Sequence, residues 1–541
     1  MSSNIQYGSS SLSEIRELGA LYIDKTERVY DLISQATKRF FLARPRRFGK
    51  TLLVDTLSEI FSGNKELFRG LSIYNKDYDW KSYPVIRLSL FNISDNTPEK
   101  LNNRLIRVIK QVAKSNKYNV EWERSSLAQD YLENLFLYFQ QQNQKVVVLI
   151  DEYDYPLLSC ISQDESTISA LTEVMRSFYS VLKLYSDSIH FLLLTGVTRL
   201  AYTSIFSGLN NLSDISFDAD YCDIMGYTQE ELERYFSSEI EKGASIIKKN
   251  RKDFLSSVRE WYDGYRFSDS DVTVYNPGDL NQFFQRKCKF VSYWTQTGTS
   301  TFLVSLLSSA IKFDLKDEIT SPKEIDFFFS NLDLNDLDNR ENLVRLFYQT
   351  GYLTIKSYDS QTEQYFLDFP NREVSIAFSS YLVKSVWNKD SNYFSKYKTA
   401  GSLLTSGDIL GFTKTIDSLF KSFTRTPQKY HENAIEIVIA LLLKMAGGSS
   451  VGEQVASGDG IADIVVETSS TVYIIELKMD QKVEVAKNQI QEKRYADKYL
   501  HDEKYKNHKI IGIGLCFSSL NCNLIDSGAW EITRSDMITL L

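Results

Sequence analysis

One unbroken apolar run, residues 146–150 (VVVLI), constrains the fold of this 541-residue chain more than any other stretch. A continuous run of this length, rich in β-branched residues, is typical of a strand that is buried on both faces, as in a parallel sheet. Similar runs recur at residues 83–90 and 189–194, and segments with helical spacing separate them. Alternating strands and helices of this size predict an α/β domain with right-handed crossovers.

Two carboxylates, Asp151 and Glu152, directly follow the apolar run. Ligands of open α/β sheets bind at the carboxyl edge of the strands, and this pair is expected to lie there. Asp151 would then hold Mg²⁺ through water, and Glu152 would polarise an attacking water molecule. The alternative is a buried strand with a solvated acidic end.

Residues 40–53 (FFLARPRRFGKTLL) are predicted to form a strand, a basic loop and a helix. In phosphate-binding loops of this kind, backbone N–H groups and the helix N-terminus cradle a triphosphate, a lysine reaches the phosphates, and a Ser/Thr hydroxyl ligates Mg²⁺. The first glycine of that pattern is replaced here by Arg44, so the loop is expected to enter by a different backbone path. The residues expected to hold ATP and its Mg²⁺ are Arg46, Arg47, Gly49, Lys50, Thr51 and Asp151.

The predicted strand at residues 189–194 ends in the string TGVTR. In P-loop ATPases a polar residue at the end of this strand often senses the γ-phosphate, so Thr195 and Thr198 are candidate sensors. Arg199 is a candidate for stabilising transition-state charge during phosphoryl transfer. A capping turn that carries a surface arginine is the alternative.

Composition excludes several classes of protein. The formal net charge of −8 argues against constitutive coating of nucleic acid, because non-specific binding is driven by cationic surface. The five cysteines are scattered without zinc-site spacing, which indicates a reducing compartment. No signal-peptide pattern and no apolar run of about 18 residues is present, so a cytoplasmic protein with no membrane contact is expected.

The pattern becomes mostly helical after residue 226, where residues 228–232 (TQEEL) begin as a capping box. This change predicts three parts. They are an α/β domain at residues 1–218, a mainly helical lid or linker at residues 219–385, and a further domain with leading helices at residues 386–541.

Two apolar segments, residues 460–466 and 472–478, predict a β-hairpin in the last part of the chain. The symmetric register sets Asp463 opposite Glu476, about 5 Å away on one face. The period of two puts Lys478 on that same face. Two carboxylates and a lysine on an otherwise apolar sheet are costly unless something binds there.

This trio suits a Mg²⁺-dependent phosphodiesterase, in which Asp463 and Glu476 ligate the metal and Lys478 orients the attacking water. A helix predicted over residues 485–500 carries Lys, Arg and Tyr side chains that suit a phosphate backbone. The alternative is an exposed hairpin face that bears an ion pair.

Several strings in the chain resemble a known family. RPRRFGKT, LIDEYDYP and TGVTRLAYTSIFSGLNNL are similar to the AAA-ATPase-like domain at the N-terminus of many bacterial proteins. WYDGYRF, VYNPGDL and FPNREV resemble that family's connecting region, and the C-terminal part resembles its PD-(D/E)XK nuclease-superfamily domain. The resemblance implies an N-terminal P-loop parallel-sheet domain, a helical middle region and a C-terminal α/β restriction-endonuclease-like domain. It also implies a nuclease-type site at Asp463, Glu476, Lys478, Glu432, Gln489 and Tyr495.

One position departs from the resemblance: Ile461 stands where related nuclease domains often carry arginine in a G-R-x-D string. Losing that cation would weaken contact with DNA, and it leaves open a domain that folds without cutting. The expected function is Mg²⁺-dependent cleavage of nucleic acid, DNA before RNA, gated by ATP, with oligomerisation left open. The alternative is a nucleotide-dependent switch or scaffold whose nuclease-like domain only binds nucleic acid or a protein partner.

Overall fold

The structure, a computed structural model, describes most of the chain and divides it into two compact units. Described residues up to 375 belong to the first unit, and described residues from 376 onward belong to the second. The three-part division at residues 218 and 385 stays a prediction. The described residues are 8–161, 163–199, 205–206, 212–294, 322–324, 327–328, 332, 339–387, 399–422, 435–436, 438–440, 442–443 and 450–533.

The first unit is built on a parallel sheet. Its strands are β1 (Arg39–Ala43), β2 (Val85–Ser89), β3 (Val146–Asp151), β4 (Ile189–Gly196) and β5 (Ser213–Asp214). They lie in the order β2-β3-β4-β1-β5, and every pairing is parallel. All six positions of β3 are buried, as the unbroken apolar run predicts. The predicted parallel α/β fold is confirmed.

Amphipathic helices accompany this sheet. In the longest of those before β3, Leu101, Leu105 and Ile109 recur at helical spacing and are all buried, and Thr97 caps the first turn. Burial of such a stripe supplies most of a helix's stability. The helices up to β4 are Leu12–Glu17, Thr26–Ser34, Lys50–Phe61, Pro98–Ser115, Ala128–Gln141, Tyr155–Leu158 and Glu165–Leu184.

The rest of the first unit is mainly helical. The capping box predicted at its start is confirmed, since Thr228 Oγ1 accepts from Glu231 N and the Glu231 carboxylate accepts from Thr228 N. A small antiparallel sheet follows, with β6 (Lys323–Glu324), β7 (Thr354–Asp359) and β8 (Gln364–Asp368) in the order β6-β8-β7. The helices here are Gln229–Tyr235, Ser237–Ile246, Arg251–Tyr262, Pro277–Gln285 and Arg340–Thr350.

The second unit contains a five-stranded mixed sheet. Its strands are β9 (Ser450–Ser457), β10 (Gly460–Glu467), β11 (Thr471–Met479), β12 (Lys509–Phe517) and β13 (Leu524–Glu531). They lie in the order β13-β12-β11-β10-β9, and only the β11–β12 pairing is parallel. Helices Thr399–Thr405, Ile409–Lys421, Val483–Glu492 and Asp497–His501 belong to this unit, and Arg372–Trp387 begins in the first unit and continues into the second.

The single helix predicted over residues 485–500 is wrong in its continuity, because residues 493–496 interrupt it between the helices Val483–Glu492 and Asp497–His501. The observed helix ends at Glu492, and Arg494 has a φ of 55°. The chain leaves the helix because its carbonyl groups bond the β9–β10 turn: Asp459 N donates to Lys493 O, and Ser457 Oγ donates to Tyr495 O. Among the described residues, no helix is long and apolar enough to span a membrane.

Candidate functional sites

In the loop between β1 and the helix Lys50–Phe61, the residues with a left-handed backbone conformation lie near the C-terminal end of the loop. Gly49 stands at the helix N-cap with a φ of 95°, and Arg47 has a φ of 66°. Arg44, at the position of the missing glycine, is not in the left-handed region. The first position of the pattern therefore needs no glycine in this loop.

Arg44 has a structural role that the sequence did not indicate. Its side chain is almost fully buried, and its guanidinium donates to the carbonyl groups of Ala43, Ser216 and Tyr221 at 2.9, 2.7 and 3.1 Å. The same group lies 4.3 Å from the ring centroid of Phe267. Burial lowers the pKa of Arg44 to about 10, which leaves it charged at neutral pH. Arg44 thus ties the start of the loop to segments distant in the chain.

Lys50, Thr51 and Asp151 come together at the carboxyl edge of the sheet. The buried Lys50 Nζ donates to the carbonyl groups of Arg44 and Pro45, each at 2.8 Å. Thr51 Oγ1 donates to Asp151 Oδ2 at 2.7 Å. Burial lowers the pKa of Lys50, and the nearby carboxylates oppose this shift. Asp151 Oδ1 is also buried and has no hydrogen-bond partner among the described residues.

Glu152 follows β3 with a φ of 55°, a conformation that is uncommon outside glycine. Burial raises its pKa to about 7; Lys50 opposes this shift, and Asp151 adds to it. Glu152 Oε2 is buried without a hydrogen-bond partner in the described part of the chain. A raised pKa of this kind suits a general base.

The two candidate sensors differ in their surroundings. Thr195 is fully buried, and its Oγ1 has no hydrogen-bond partner among the residues described. Thr198 is already engaged, because its N and Oγ1 donate to Asp154 Oδ2 at 2.7 and 2.8 Å. Arg199 forms a buried ion pair with Asp214 on β5, with 3.0 Å between Nε and Oδ2. Thr195 is thus the sensor candidate whose hydroxyl remains available.

The two loop arginines also differ. Burial raises the pKa of Glu152, and the positive charge of Arg46 lowers it by a smaller amount. Arg46 therefore interacts electrostatically with the carboxylates at the end of β3. Arg47 Nη1 donates to Asp279 Oδ1 at 2.7 Å and to the carbonyl of Tyr293 at 3.2 Å. Arg47, expected to bind phosphate, is therefore paired with a carboxylate of the helical region.

In the second unit, β10 and β11 form the predicted hairpin. Ile464 pairs with Ile475 and Glu467 with Val472, and the same register extended by one residue sets Asp463 opposite Glu476. Asp463 Oδ2 accepts from the backbone N–H of Leu477 at 2.7 Å. The symmetric register expected from the two apolar segments is confirmed.

The trio on this hairpin is buried. Asp463, Glu476 and Lys478 are 9%, 0% and 9% exposed. Lys478 Nζ donates to Glu476 Oε1 at 2.9 Å and to the carbonyl of Leu477 at 2.6 Å. Burial and the charge of Asp463 raise the pKa of Glu476 to about 7, and Lys478 opposes this shift. An ion pair is present, as the alternative expected, but it lies on a buried face.

The remaining predicted residues of this site are Gln489, Tyr495 and Glu432, and Ile461 is the position that departs from the resemblance. Gln489 Nε2 donates to the Tyr495 hydroxyl at 3.1 Å, and the charges of Glu476 and Asp463 contribute to the rise in the pKa of Tyr495 that its burial causes. Ile461 is 50% exposed, and Glu432 lies outside the described residues.

Oxygen atoms at this hairpin suit a hard divalent cation. Glu476 Oε2 is buried and has no hydrogen-bond partner in the described part of the chain, and Asp463 faces it across the hairpin. Within the described ranges, no group of three or more His, Cys, Asp or Glu side chains is close enough to hold a metal ion. A cation here would take its further ligand from a backbone carbonyl such as that of Leu477.

Two family models match the chain. Residues 6–206 match the AAA-ATPase-like family, described as "Predicted AAA-ATPase", and residues 430–527 match the PD-(D/E)XK nuclease superfamily. A protein of Azotobacter chroococcum mcd 1, named "Uncharacterized protein in vnfD 5'region", is 31% identical over 510 residues. That match covers 91% of this chain and 93% of the Azotobacter protein.

Solved structures give a weaker likeness. The Aeropyrum pernix ORC1 protein in complex with DNA is 9% identical, with a TM-score of 0.25 over 66% of this chain and 91% of its own. Cdc6p from Pyrobaculum aerophilum is 12% identical, with a TM-score of 0.25 over 70% and 96%. At these TM-scores the likeness adds nothing to the fold described above.

Proposed function

This chain belongs to the family that joins an AAA-ATPase-like domain to a PD-(D/E)XK nuclease-superfamily domain, and we propose that the first regulates the second. In this proposal, ATP bound at the phosphate loop governs Mg²⁺-dependent cleavage of phosphodiester bonds in DNA or RNA. One observation carries it: each unit sets a lysine beside carboxylates, and Asp151 and Glu152 in the first unit and Glu476 in the second each retain a buried oxygen with no partner among the described residues. Buried charges left in this state are costly, which favours a ligand at each place.

At the phosphate loop, each side chain has a distinct task. Lys50 would exchange its two loop carbonyl groups for phosphate oxygens, which offer a stronger, charge-assisted hydrogen bond. Thr51 and Asp151 would hold Mg²⁺, and Thr195 Oγ1 would contact the γ-phosphate. When bound, Mg²⁺ supplies neutralisation of the phosphate charge. Glu152, with a pKa of about 7, would take the proton of the attacking water.

At the hairpin, Asp463, Glu476 and the Leu477 carbonyl would hold Mg²⁺, whose role when bound is to polarise the scissile phosphate. Lys478 would orient the attacking water from its place beside Glu476. Tyr495 and Gln489 would support this edge through their mutual hydrogen bond.

Contact with nucleic acid would be local, because the whole chain carries a net charge of −8. The helix Val483–Glu492 follows the hairpin, and three lysines in and beside it, Lys482, Lys487 and Lys493, are exposed. We propose that these cations bind the phosphate backbone next to the carboxylates.

The test is cleavage of linear duplex and single-stranded DNA and of RNA by the full-length protein, with Mg²⁺ or Mn²⁺ and with or without ATP. Asp463→Asn removes a proposed metal ligand, and Asp459→Asn removes an exposed carboxylate of the adjacent turn as a matched control. We expect wild type and Asp459→Asn to cut at a rate that ATP changes, and Asp463→Asn to be inactive. Equal cutting by all three proteins would contradict the proposed site.

A nucleotide-dependent switch is the second candidate, and the half-exposed Ile461 favours it. Without a cation at this position, the domain would bind nucleic acid weakly or bind a protein partner. Ile461→Arg is expected to strengthen binding of a short DNA duplex about fivefold at low salt, because it adds one phosphate contact. ATP binding with no cleavage by wild type or Ile461→Arg would support the switch.

A further inference from the structure

The start of the helix Pro277–Gln285 packs directly on the phosphate loop. Asn276 Nδ2 donates to the carbonyl of Arg46 at 3.1 Å, while its Oδ1 accepts from Gly278 N at 2.9 Å. Gly278 lies so close that a Cβ at this position would meet the Cβ of Arg47 at 2.8 Å. This segment is therefore packed tightly against Arg47 and the loop backbone beside it.

Arg47 is only half satisfied by its partners in this region. Its Nη1 bonds Asp279 and the Tyr293 carbonyl, whereas Nη2 is buried with no hydrogen-bond partner among the described residues. Asp279 Oδ2 is likewise buried and unpartnered in that part of the chain. A guanidinium that uses one arm of its fork has not reached the bidentate geometry that it prefers.

A second carboxyl group, that of Glu373, lies near this ion pair. Its Oε1 accepts from the backbone N–H of Trp294 at 2.8 Å and from that of Tyr293. Burial and the charge of Asp279 raise the pKa of Glu373 well above its usual range, and Arg47 opposes this. Two buried carboxyl groups thus depend on one cation, and that cation belongs to the phosphate loop.

Glu373 lies in the first turn of the helix Arg372–Trp387. Residues of this helix from 376 onward belong to the second unit. Glu373, one member of the carboxyl pair, is therefore placed at the start of the helix through which the chain passes from one unit to the other.

We propose that Arg47 is a nucleotide-responsive relay, which bonds Asp279 when the loop is empty and moves to the phosphates of ATP when they enter the loop. This inference rests on the proposed function, because it requires ATP at the loop. A triphosphate outcompetes one carboxylate for the guanidinium because it carries more charge and accepts both arms of the fork.

The move leaves Asp279 and Glu373 without their cation. The negative charge that remains on the pair then has no cation to balance it, and Glu373 shifts, which releases the N–H groups of Tyr293 and Trp294 that it accepts from. The start of the helix Arg372–Trp387 thereby responds to the nucleotide.

The test is hydrogen exchange at the Tyr293 and Trp294 amides of the full-length protein, with and without the slowly hydrolysed analogue ATPγS and Mg²⁺. We expect ATPγS to speed exchange at these amides about tenfold in wild type, a size typical of coupling between sites. Asp279→Asn keeps the shape and one acceptor oxygen but removes the charge, so the change should fall below about twofold. Glu241→Gln, which breaks the exposed pair of Glu241 with Arg251, should respond as wild type does.

The outcomes separate the relay from the function on which it rests. ATPγS binding to wild type without a change at the two amides would overturn the relay alone, as would a full response in Asp279→Asn. Failure of wild type to bind ATPγS would overturn the proposed nucleotide site and the relay with it. Binding is read in the same samples from exchange at the amides of the phosphate loop.

Discussion

Lys50 is the residue on which the proposed nucleotide binding at the first unit most depends. Its buried ammonium group makes two hydrogen bonds to loop carbonyl groups, and each charge-assisted bond of this kind contributes about 1.5–3 kcal/mol. Lys50→Ala is expected to weaken ATP binding at least about tenfold, because the phosphates lose this partner. Fluorescence titration with a labelled ATP analogue measures the change.

The matched control for this prediction is Lys65→Ala, since Lys65 is exposed and lies outside the phosphate loop. It removes the same charge and should bind ATP as wild type does. An affinity of Lys50→Ala equal to that of Lys65→Ala would contradict the assignment.

Asp279 gives the protein a pH dependence of known sign. Burial raises its pKa to about 6, although Arg47 opposes the shift. Between about pH 4 and 6 the folded chain keeps a proton that the unfolded chain has released, so the free energy of unfolding falls as pH rises. Asp279→Asn lacks this proton and also relieves Glu373, so its free energy of unfolding should fall less steeply.

Urea denaturation of the full-length protein at several pH values between about 4.5 and 6.5 measures this slope. One proton accounts for at most about 1.4 kcal/mol per pH unit. Parallel curves for wild type and Asp279→Asn would show that Asp279 titrates normally.

For individual residues, the sequence predicts a role where that role depends on a local motif. Lys50, Thr51 and Asp151 could be placed together because a glycine-lysine-threonine string and a strand-end carboxylate meet at one sheet edge. The roles of Arg44 and Asp154 could not, because their partners, the Ser216 carbonyl and Thr198, come from segments that only the tertiary fold brings near.

Among the secondary-structure elements, the β9–β10 turn shows how one backbone contact ends a helix. Gly458 has a φ of 58°, and a Cβ there would lie 2.2 Å from the carbonyl oxygen of Arg494. Gly458→Ala should therefore lower the free energy of unfolding of the second unit by about 3 kcal/mol or more, since strain and a backbone clash add.

A matched control is available in the same unit. Gly407 also has a positive φ, of 84°, but nothing lies within 4 Å of its Cβ position. Gly407→Ala should cost only the strain, about 1 kcal/mol. Urea denaturation measures both, and equal losses would mean that the contact with Arg494 contributes nothing.

Elements fixed by local chemistry were predictable, and those fixed by distant contacts were not. The capping box at Thr228 and the hairpin of β10 and β11 each follow from residues within one short segment. The end of the helix Val483–Glu492 does not, because it depends on bonds to the β9–β10 turn, some 35 residues earlier. Helical spacing alone continues past this point and predicts a helix that is too long.

For the whole molecule, separate cores predict that the two units unfold separately. Ile513 is fully buried on β12 within the core of the second unit. Ile513→Ala should cost about 3–4 kcal/mol there, through lost burial and a cavity. ATP binding in the first unit should be unchanged.

Calorimetry of the full-length protein checks this prediction. The unfolding transition of the second unit should move to a lower temperature, and that of the first unit should stay at its wild-type temperature. Ile525→Ala, at a half-exposed position of β13, is the control and should move neither transition by more than a degree or two. An equal shift of both transitions in Ile513→Ala would mean that the units share one cooperative core.

Strand order lies beyond what the sequence pattern could indicate. The apolar runs predict buried strands that lie parallel, since each is buried on both faces, but no such run marks the short strand β5. Nothing in those runs indicates that β4 lies between β1 and β3, because this order is set by how the covering helices pack.

That strand order has a consequence for the chain while it is being made. β1 pairs with β4 and β5, and the partner of Arg39 on β4 is Leu192, about 150 residues later. At about 5–20 residues per second, the ribosome delivers β4 roughly 8–30 s after β1. Throughout that interval the apolar FFLA strand has no sheet to join, so a nascent chain of this protein is expected to need a chaperone until β4 emerges.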